Sequence, residues 1–287
     1  MNVREYIEAR AASDAAYKRL LEAIKELEER MARRAAEAIG GLDTSGGRIL
    51  GSAANVAAAL EVVREMQAEL GADPWADAVA DYLESIDATT DRVFQYAATL
   101  GTVDDAASIA LRRQYKALLA DMLTGIGTYA ADLWVPAYQS VASAIASEAT
   151  VSQAIGAVEA LALGGEDQTI GAVERIVAQP VSDATAIHER ATTQEVARQL
   201  NVKFYLYQGS EIDTTRPFCA ARRGKVWHEA EIRAWAGEDW AGKRPETNAG
   251  NIFDLLGGYN CRHILVPLAK RDVPASDLER MRKKGLL

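Results

Sequence analysis

The residues best suited to chemistry in this chain are its few cysteines and histidines, which cluster towards the C-terminus. The sequence has two cysteines and three histidines, and four of these five lie between positions 219 and 263. Thiolate sulfur and imidazole nitrogen are the donors that tetrahedral Zn²⁺ sites use. The sequence therefore predicts a candidate metal site made of Cys219, His228, Cys261 and His263.

The spacing of these four residues leaves three interpretations open. Cys261 and His263 are two apart on a predicted strand, so their side chains leave the same face, while Cys219 and His228 come from an earlier loop and strand edge. The pattern C-x8-H-x32-C-x-H is not that of a standard zinc finger. A buried hydrogen-bonded cluster without metal and a disulfide between the two cysteines are the alternatives to bound Zn²⁺. In each case we expect the first loop to be fastened to the last strand.

Three charged residues flank this group, namely Asp213, Arg216 and Arg262. An arginine presents five fixed donors, which can tie several backbone carbonyls and one carboxylate together in a small, loop-rich domain. We therefore favour a structural role for these residues over catalysis. Gly224 and the glycine pair at 257–258 are expected in turns, because none of them stands in a phosphate-binding pattern.

The elements that carry these residues indicate a small α+β domain over residues 200–270. Alternation predicts a strand at 202–207, with one face made of Val202, Phe204 and Leu206 and the other of Lys203, Tyr205 and Tyr207. After it we expect a short strand at 224–227, a short helix following His228, a helical turn at 251–258 and a closing strand at 261–268. Residues 271–287 then form a basic C-terminal tail.

Residues 1–199 indicate an acidic, alanine-rich helical domain that begins with a long helix. Apolar residues recur there at three- and four-residue steps, and no segment alternates like a strand. The predicted helices lie at 3–39, 52–71, from 73 onward, and at 88–100, 103–124, 128–147, 151–162 and 166–199, with Ser52 as the N-cap of the second and a break at Pro180. His188 is interpreted as a solvated residue of a polar helix, and we find no catalytic constellation in this region. The fold class is therefore mainly α, with the helical domain followed by the small α+β domain.

Charge is distributed unevenly between these two regions. The net charge is −9, but residues 1–200 hold 17 Lys and Arg against 30 Asp and Glu, while residues 201–287 hold 15 against 11. This asymmetry supports two domains and argues against the acidic region as a general DNA-binding surface. The sequence contains no uncharged apolar run of about 18 residues, so no membrane span is expected. The charged N-terminus does not resemble a signal peptide, so we expect the protein to mature in a cytoplasm.

The motifs of the C-terminal domain resemble a known family. The elements DTTRPFC, GKVW and TNAGNIFDLLGGYNCRHILVP are similar to the C-terminal domain of the phage Mu protein F-like family of head morphogenesis proteins. The corresponding residues are Asp213, Arg216, Pro217, Cys219, Gly224, Asn260, Cys261, Arg262 and His263. The resemblance covers about residues 203–268, and the region ahead of it is similar only in being long and helical.

This resemblance implies a minor capsid protein of a tailed double-stranded DNA phage, without an established enzyme activity. Such a protein binds near the portal and aids head morphogenesis or DNA delivery. The implied partners are the portal or coat protein, further copies of the chain and packaged DNA. The implied location is the virion, after assembly in the host bacterial cytoplasm, and Zn²⁺ is the one cofactor that the residues suggest.

Two other classes of function stay open. A nuclease-like hydrolase would use His228 or His263 as general acid or base, with Arg216 or Arg262 on a phosphate. That class requires a histidine that faces an open cleft. A nucleic-acid-binding module is suggested by the positive charge of the last residues, although a solvated charged terminus is the commoner cause of such runs.

Overall fold

The computed structural model describes residues 1–125, 133–165 and 170–287, and in this part the chain is mainly helical with a small α+β C-terminal region, as predicted. The helices are α1 (Val3–Ala9), α2 (Ala11–Gly40), α3 (Ala53–Ala68), α4 (Asp73–Ala97), α5 (Asp105–Thr124), α6 (Val135–Ala146), α7 (Val151–Leu163), α8 (Ala172–Gln199), α9 (Pro217–Ala220), α10 (Glu229–Trp235), α11 (Ile252–Leu255) and α12 (Ala275–Lys283). The strands are β1 (Thr44–Ser45), β2 (Arg48–Ile49), β3 (Phe204–Gln208), β4 (Val226–His228) and β5 (Ile264–Leu268).

The helix boundaries depart from the prediction in three places. The predicted helix at 3–39 is divided at Arg10, whose backbone N–H bonds to the carbonyl three residues back. The helices predicted from 73 and at 88–100 are one continuous helix, α4. Pro180, expected to break a helix, lies inside α8. The predicted starts at 128 and 166 fall outside the described residues.

The described chain forms two compact units of similar size. The sheet unit consists of Met1–Asp14, Ser85–Ala117 and Ser182–Leu287, and the helical unit consists of Ala15–Glu84 and Leu118–Val181. This division differs from the predicted bounds 1–199, 200–270 and 271–287. The physical reason is that one face of the sheet is covered by Tyr96 of α4 and Val196 of α8, which precede residue 200.

The helical unit contains a small hairpin that the sequence analysis missed. Strands β1 and β2 pair antiparallel across Gly46 and Gly47, which have φ values of 58° and 79°. Two consecutive residues with positive φ suit the tight turn of a two-residue hairpin. The expectation of no sheet in residues 1–199 is therefore wrong at this point.

The hairpin is held by the buried side chain of Asn55. Its amide donates to the carbonyls of Asp43 and Leu50, at 2.9 and 2.8 Å, and its oxygen accepts from the Asp43 N–H at 2.9 Å. Ser52 caps α3 as predicted, because its hydroxyl accepts from the Asn55 N–H. One polar residue thus joins the hairpin to the first turn of α3.

The sheet unit is built on three antiparallel strands in the order β4-β3-β5. Side chains alternate between its two faces as predicted. Tyr205 and Tyr207 of β3 face a core of aromatic rings that also contains both cysteines. Phe204 of β3 faces the opposite way, into an aliphatic core. The parity of a position along a strand therefore decides which core its side chain enters.

Residues 271–287, predicted to be a basic tail, instead form a packed part of the sheet unit. Helix α12 places Met281 in the aliphatic core beside Phe204 and Val226. Arg280 and Lys284 both bind the carboxylate of Glu231, with N–O distances of 2.5 and 2.8 Å. Two positive charges of this segment are therefore paired with a carboxylate inside the sheet unit.

Candidate functional site

The structure brings together three of the four predicted ligands. The ligand atoms of Cys219, Cys261 and His263 lie within 4.8 Å of one another, and Cys261 Sγ is 3.9 Å from His263 Nδ1. Their residues are 2, 2 and 6% exposed, and both cysteines are free thiols. Two sulfurs and an imidazole so placed can hold a metal ion. We call these three residues the thiol–imidazole cluster.

The cluster owes its geometry to three separate segments. Cys219 lies on the short helix α9, which starts at Pro217 with Arg216 as its N-cap residue. Cys261 and His263 precede β5, and their odd positions match that of Leu265, whose side chain enters the aromatic core. The first loop of the sheet unit is thereby placed against the approach to its last strand.

His228, the fourth predicted ligand, is not part of the cluster, and this prediction is corrected. It ends β4 and begins α10, where its Nδ1 accepts from the Ala230 N–H at 3.2 Å. Its ring packs edge-on against Phe204, at a centroid distance of 5.7 Å. Phe204 belongs to the aliphatic core, whereas both cysteines belong to the aromatic core. Strand alternation therefore turns His228 away from the sulfurs.

Glycines bring the backbone close to the cluster. A Cβ atom on Gly257 would lie 2.6 Å from Cys219 Sγ and 2.8 Å from Cys261 Sγ, and one on Gly209 would lie 2.5 Å from His263 Cδ2. Real Cβ atoms essentially never approach other atoms so closely. Gly257 was expected only to serve a turn, but its value here is the room that it leaves for the two sulfurs.

The two thiols influence each other's ionisation. A hydrogen bond between them lowers the pKa of Cys261 well below its usual range and raises the pKa of Cys219. Burial opposes ionisation of both thiols, while His263 and the guanidinium of Arg190 favour the Cys261 thiolate. Burial also raises the pKa of the Tyr207 hydroxyl, and the neighbouring sulfurs raise it further. The cluster thus favours one thiolate beside a neutral phenol.

The segment Asn260–Arg262 is tied to helix α8. The Asn260 N–H donates to Asp183 Oδ1 at 2.7 Å, and Arg190 donates to the Cys261 carbonyl at 2.7 Å. Arg262 donates to the Ser182 carbonyl at 3.3 Å. Three consecutive residues of the motif therefore have partners on one helix.

Asp183 and Arg190 were missed by the sequence analysis. They are seven residues apart, which places them two turns apart on the same side of α8. That spacing of an acid and a base on one side of the helix was the one available signal. Asp183 also accepts from Arg244 at 2.7 Å, so a single buried carboxylate joins α8 to two loops of the sheet unit.

Among the remaining motif residues, Arg216 and Gly224 have structural roles and Asp213 does not. Arg216 donates to the Tyr259 carbonyl at 2.7 Å, and its guanidinium fills the space where a side chain on Gly242 would lie. Gly224 has a φ of 72° and so occupies a turn, as expected. Asp213 is exposed. The carboxylate that binds the backbone of the motif is that of Asp183 instead.

His188 is buried, which corrects its interpretation as a solvated residue. It is 0% exposed, and its Nε2 lies 3.0 Å from Thr90 Oγ1 on α4. Its ring also packs against Tyr115 of α5, at a centroid distance of 4.8 Å. Burial lowers the pKa of His188 to about 4. The polar neighbours that suggested a solvated face are themselves buried, Glu189 and Arg190 among them.

The hydrolase interpretation required a histidine facing an open cleft, and the three histidines, all within the described residues, have other surroundings. His188 and His263 are buried, and Nδ1 of His228 caps a helix.

Within the part of the chain that the structure describes, no helix is both long and apolar enough to span a membrane. Comparison with models of protein families, with curated proteins and with solved structures finds no match.

Proposed function

We propose that this chain is a structural virion protein of a tailed double-stranded DNA phage, a minor head or portal-associated protein that aids head morphogenesis or DNA delivery. The observation that carries the proposal is the set of contacts made by the motif Asn260–His263. Its backbone and arginine bind α8, and its cysteine and histidine are buried against Cys219. These residues fasten a module together, which supports a structural role, and the resemblance of the same motif to the Mu F-like proteins supports the assignment to a phage head.

Zn²⁺ is the metal that we propose for the thiol–imidazole cluster. Sulfur and imidazole donors suit this ion, and a small domain gains folding free energy directly from a bound structural zinc. The ion would join Cys219 to the residues that lead into β5. In this proposal the metal stabilises the module and takes no part in turnover.

The partners that we propose are the portal or coat protein and further copies of this chain, with packaged DNA as a further contact. Location in the virion, after assembly in the host cytoplasm, belongs to the same proposal. The acidic helical region argues against a general contact with DNA through that surface. The positive charges of α12 are less available than the sequence suggested, because Arg280 and Lys284 bind Glu231.

The test is to produce particles with and without this chain and to compare them. We expect a fixed number of copies in each purified wild-type particle, and defective assembly or DNA delivery when the chain is absent. Arg190→Met is the informative variant, because it removes the donor to the Cys261 carbonyl and should lower incorporation. Arg198→Met is the matched control, since it changes an exposed arginine of the same helix. Particles that lack the chain yet package and deliver DNA normally would overturn the proposal.

A further inference from the structure

The thiol–imidazole cluster supplies three donors, and the identity of the fourth decides what kind of metal site it is. Structural zinc sites are closed by four protein donors, whereas catalytic sites keep one position open for water or substrate. With His228 turned into the other core and His188 packed against Thr90 and Tyr115, no further cysteine or histidine is available for this position. The missing donor must therefore be of another type, or the position is open.

Tyr207 is the side chain in place to fill that position. It lies on β3 with the same parity as the cluster-facing residues, and it is 0% exposed. Its hydroxyl faces the sulfur of Cys219, and its ring lies 5.3 Å from the ring of His263. The phenol therefore approaches the cluster from the strand that lies beside β5.

Among the described residues, two buried polar atoms at the cluster lack a nitrogen or oxygen partner, namely the hydroxyl oxygen of Tyr207 and Nε2 of His263. The Tyr207 hydroxyl has only the sulfur of Cys219, a weak acceptor, beside it. A buried polar group without a good partner is destabilising, so native structures seldom retain two in one place. A metal ion between the two sulfurs would give the phenol oxygen a stronger partner than sulfur.

Charge balance is compatible with an oxygen donor in this position. Two thiolates and one Zn²⁺ sum to zero, and a neutral imidazole and a neutral hydroxyl leave that sum unchanged. A neutral site is far less costly to bury than a charged one. Gly257 brings the backbone against both sulfurs, and Gly209 brings it against His263, which leaves little room for solvent.

We propose that the Tyr207 hydroxyl is the fourth donor and closes a structural zinc site with Cys219, Cys261 and His263. This inference rests on the zinc proposed above. It deepens that proposal by assigning the site to the closed, structural class. A closed site has no position for a metal-bound water, so it supports a structural role over metal-dependent hydrolysis.

The experiment measures metal binding to the full-length chain with Tyr207→Phe, and with Tyr205→Phe as the matched control. Tyr205 is on the same strand and the same face and is 2% exposed, but its hydroxyl lies near the Val202 carbonyl, at 3.4 Å. We expect one zinc per wild-type chain by elemental analysis. We expect Tyr207→Phe to weaken zinc binding by about 10–100-fold in competition with a chromophoric chelator, and Tyr205→Phe to leave it unchanged.

Cobalt substitution provides a second measurement, and its first part uses the wild-type chain alone. Co²⁺ in the wild-type chain should show thiolate charge-transfer bands and the intense visible bands of a tetrahedral site, and Tyr207→Phe should alter the visible bands alone. If the wild-type chain binds neither zinc nor Co²⁺, both the metal and its fourth donor are wrong. If zinc binds and the two tyrosine variants behave alike, only the role of Tyr207 is wrong. Neither outcome bears on whether the chain is found in particles.

Discussion

The sheet unit buries twelve polar or charged side chains among the described residues, whereas the helical unit buries three, namely Glu28, Asn55 and Glu69. A buried polar group stabilises a fold only while its partners are in place, because desolvation has to be offset by directional bonds. The sheet unit should therefore respond sharply to the loss of one partner. The helical unit, with a core of mostly aliphatic and alanine side chains, should respond mainly to changes of volume.

The largest expected effect compares two glutamates that each bind two arginines. In the sheet unit, Glu189 accepts from Arg10 at 2.8 Å and from Arg92 at 3.2 Å, and all three side chains are nearly buried. In the helical unit, Glu69 accepts from Arg30 and Arg34, but the Arg34 side chain is 52% exposed. We expect Glu189→Gln to lower the free energy of unfolding by about 3–5 kcal/mol, because it leaves Arg92 buried without a counter-charge.

Glu69→Gln should cost only about 1 kcal/mol, since water can solvate the arginine that loses its partner. Urea unfolding followed by circular dichroism and tryptophan fluorescence measures both costs. Fluorescence reports mainly on the sheet unit, which holds Trp227, Trp235 and Trp240. Equal costs for the two variants would show that the difference in burial has no energetic consequence.

The second prediction concerns pH, where one residue of each unit should act in opposite directions. Burial lowers the pKa of His188 in the sheet unit to about 4, so the unfolded chain binds the proton more readily. The stability that neutral His188 contributes is present above about pH 6.5 and is lost as pH falls towards 4. We expect His188→Gln to cost more at pH 7.5 than at pH 4.5, by about 2–3 kcal/mol.

Glu28 in the helical unit should show the reverse dependence. Burial raises the pKa of Glu28 to about 7, and its carboxylate accepts from the Glu174 N–H at 2.8 Å at the start of α8. The folded state therefore binds the proton more tightly, and stability falls as pH rises from about 4.5 through 7. Glu28→Gln should gain stability relative to wild type between pH 5 and pH 8. If the stabilities of His188→Gln and Glu28→Gln relative to wild type changed in the same direction with pH, the opposite pKa shifts of the two residues would be wrong.

Much of the fold could be predicted from the sequence, because helical periodicity, the alternation in β3 and the Ser52 cap are all local signals. The pairing of Cys219 with Cys261 and His263 was also foreseen, since few other donors exist. The burial of His188 and the roles of Asp183 and Arg190 could not be foreseen in the same way. Their partners are on α4, on α5 and in the loop before β5, and local patterns carry no record of distant contacts.

A smaller effect should follow from adding one methyl group in each unit. Gly257→Ala places a Cβ within 2.8 Å of both sulfurs of the cluster and should cost about 1–3 kcal/mol through overpacking. Gly156→Ala, on the exposed side of α7, meets nothing within 4 Å and should stabilise the chain by about 0.5–1 kcal/mol through helix propensity. Thermal unfolding of the two variants measures both changes. A Gly257→Ala protein as stable as wild type would show that the sulfurs can move freely.

The smallest effect tests the correction made for His228. Its Nδ1 accepts from the Ala230 N–H, and the Glu231 side chain accepts from the His228 N–H, so the two residues form a capping box at α10. Serine is a preferred residue at such a position, so His228→Ser should change the free energy of unfolding by less than about 1 kcal/mol near neutral pH.

Acidification should favour the His228→Ser variant over wild type. Burial lowers the pKa of His228, and a protonated imidazole loses the lone pair that accepts the Ala230 N–H. The wild-type cap is therefore present at neutral pH and lost as pH falls below about 6.5, while a serine hydroxyl keeps its acceptor. Zinc content should stay the same in His228→Ser and fall in Cys261→Ser. Loss of zinc from His228→Ser would return this histidine to the metal site, and the strand alternation that places it in the other core would then have to be wrong.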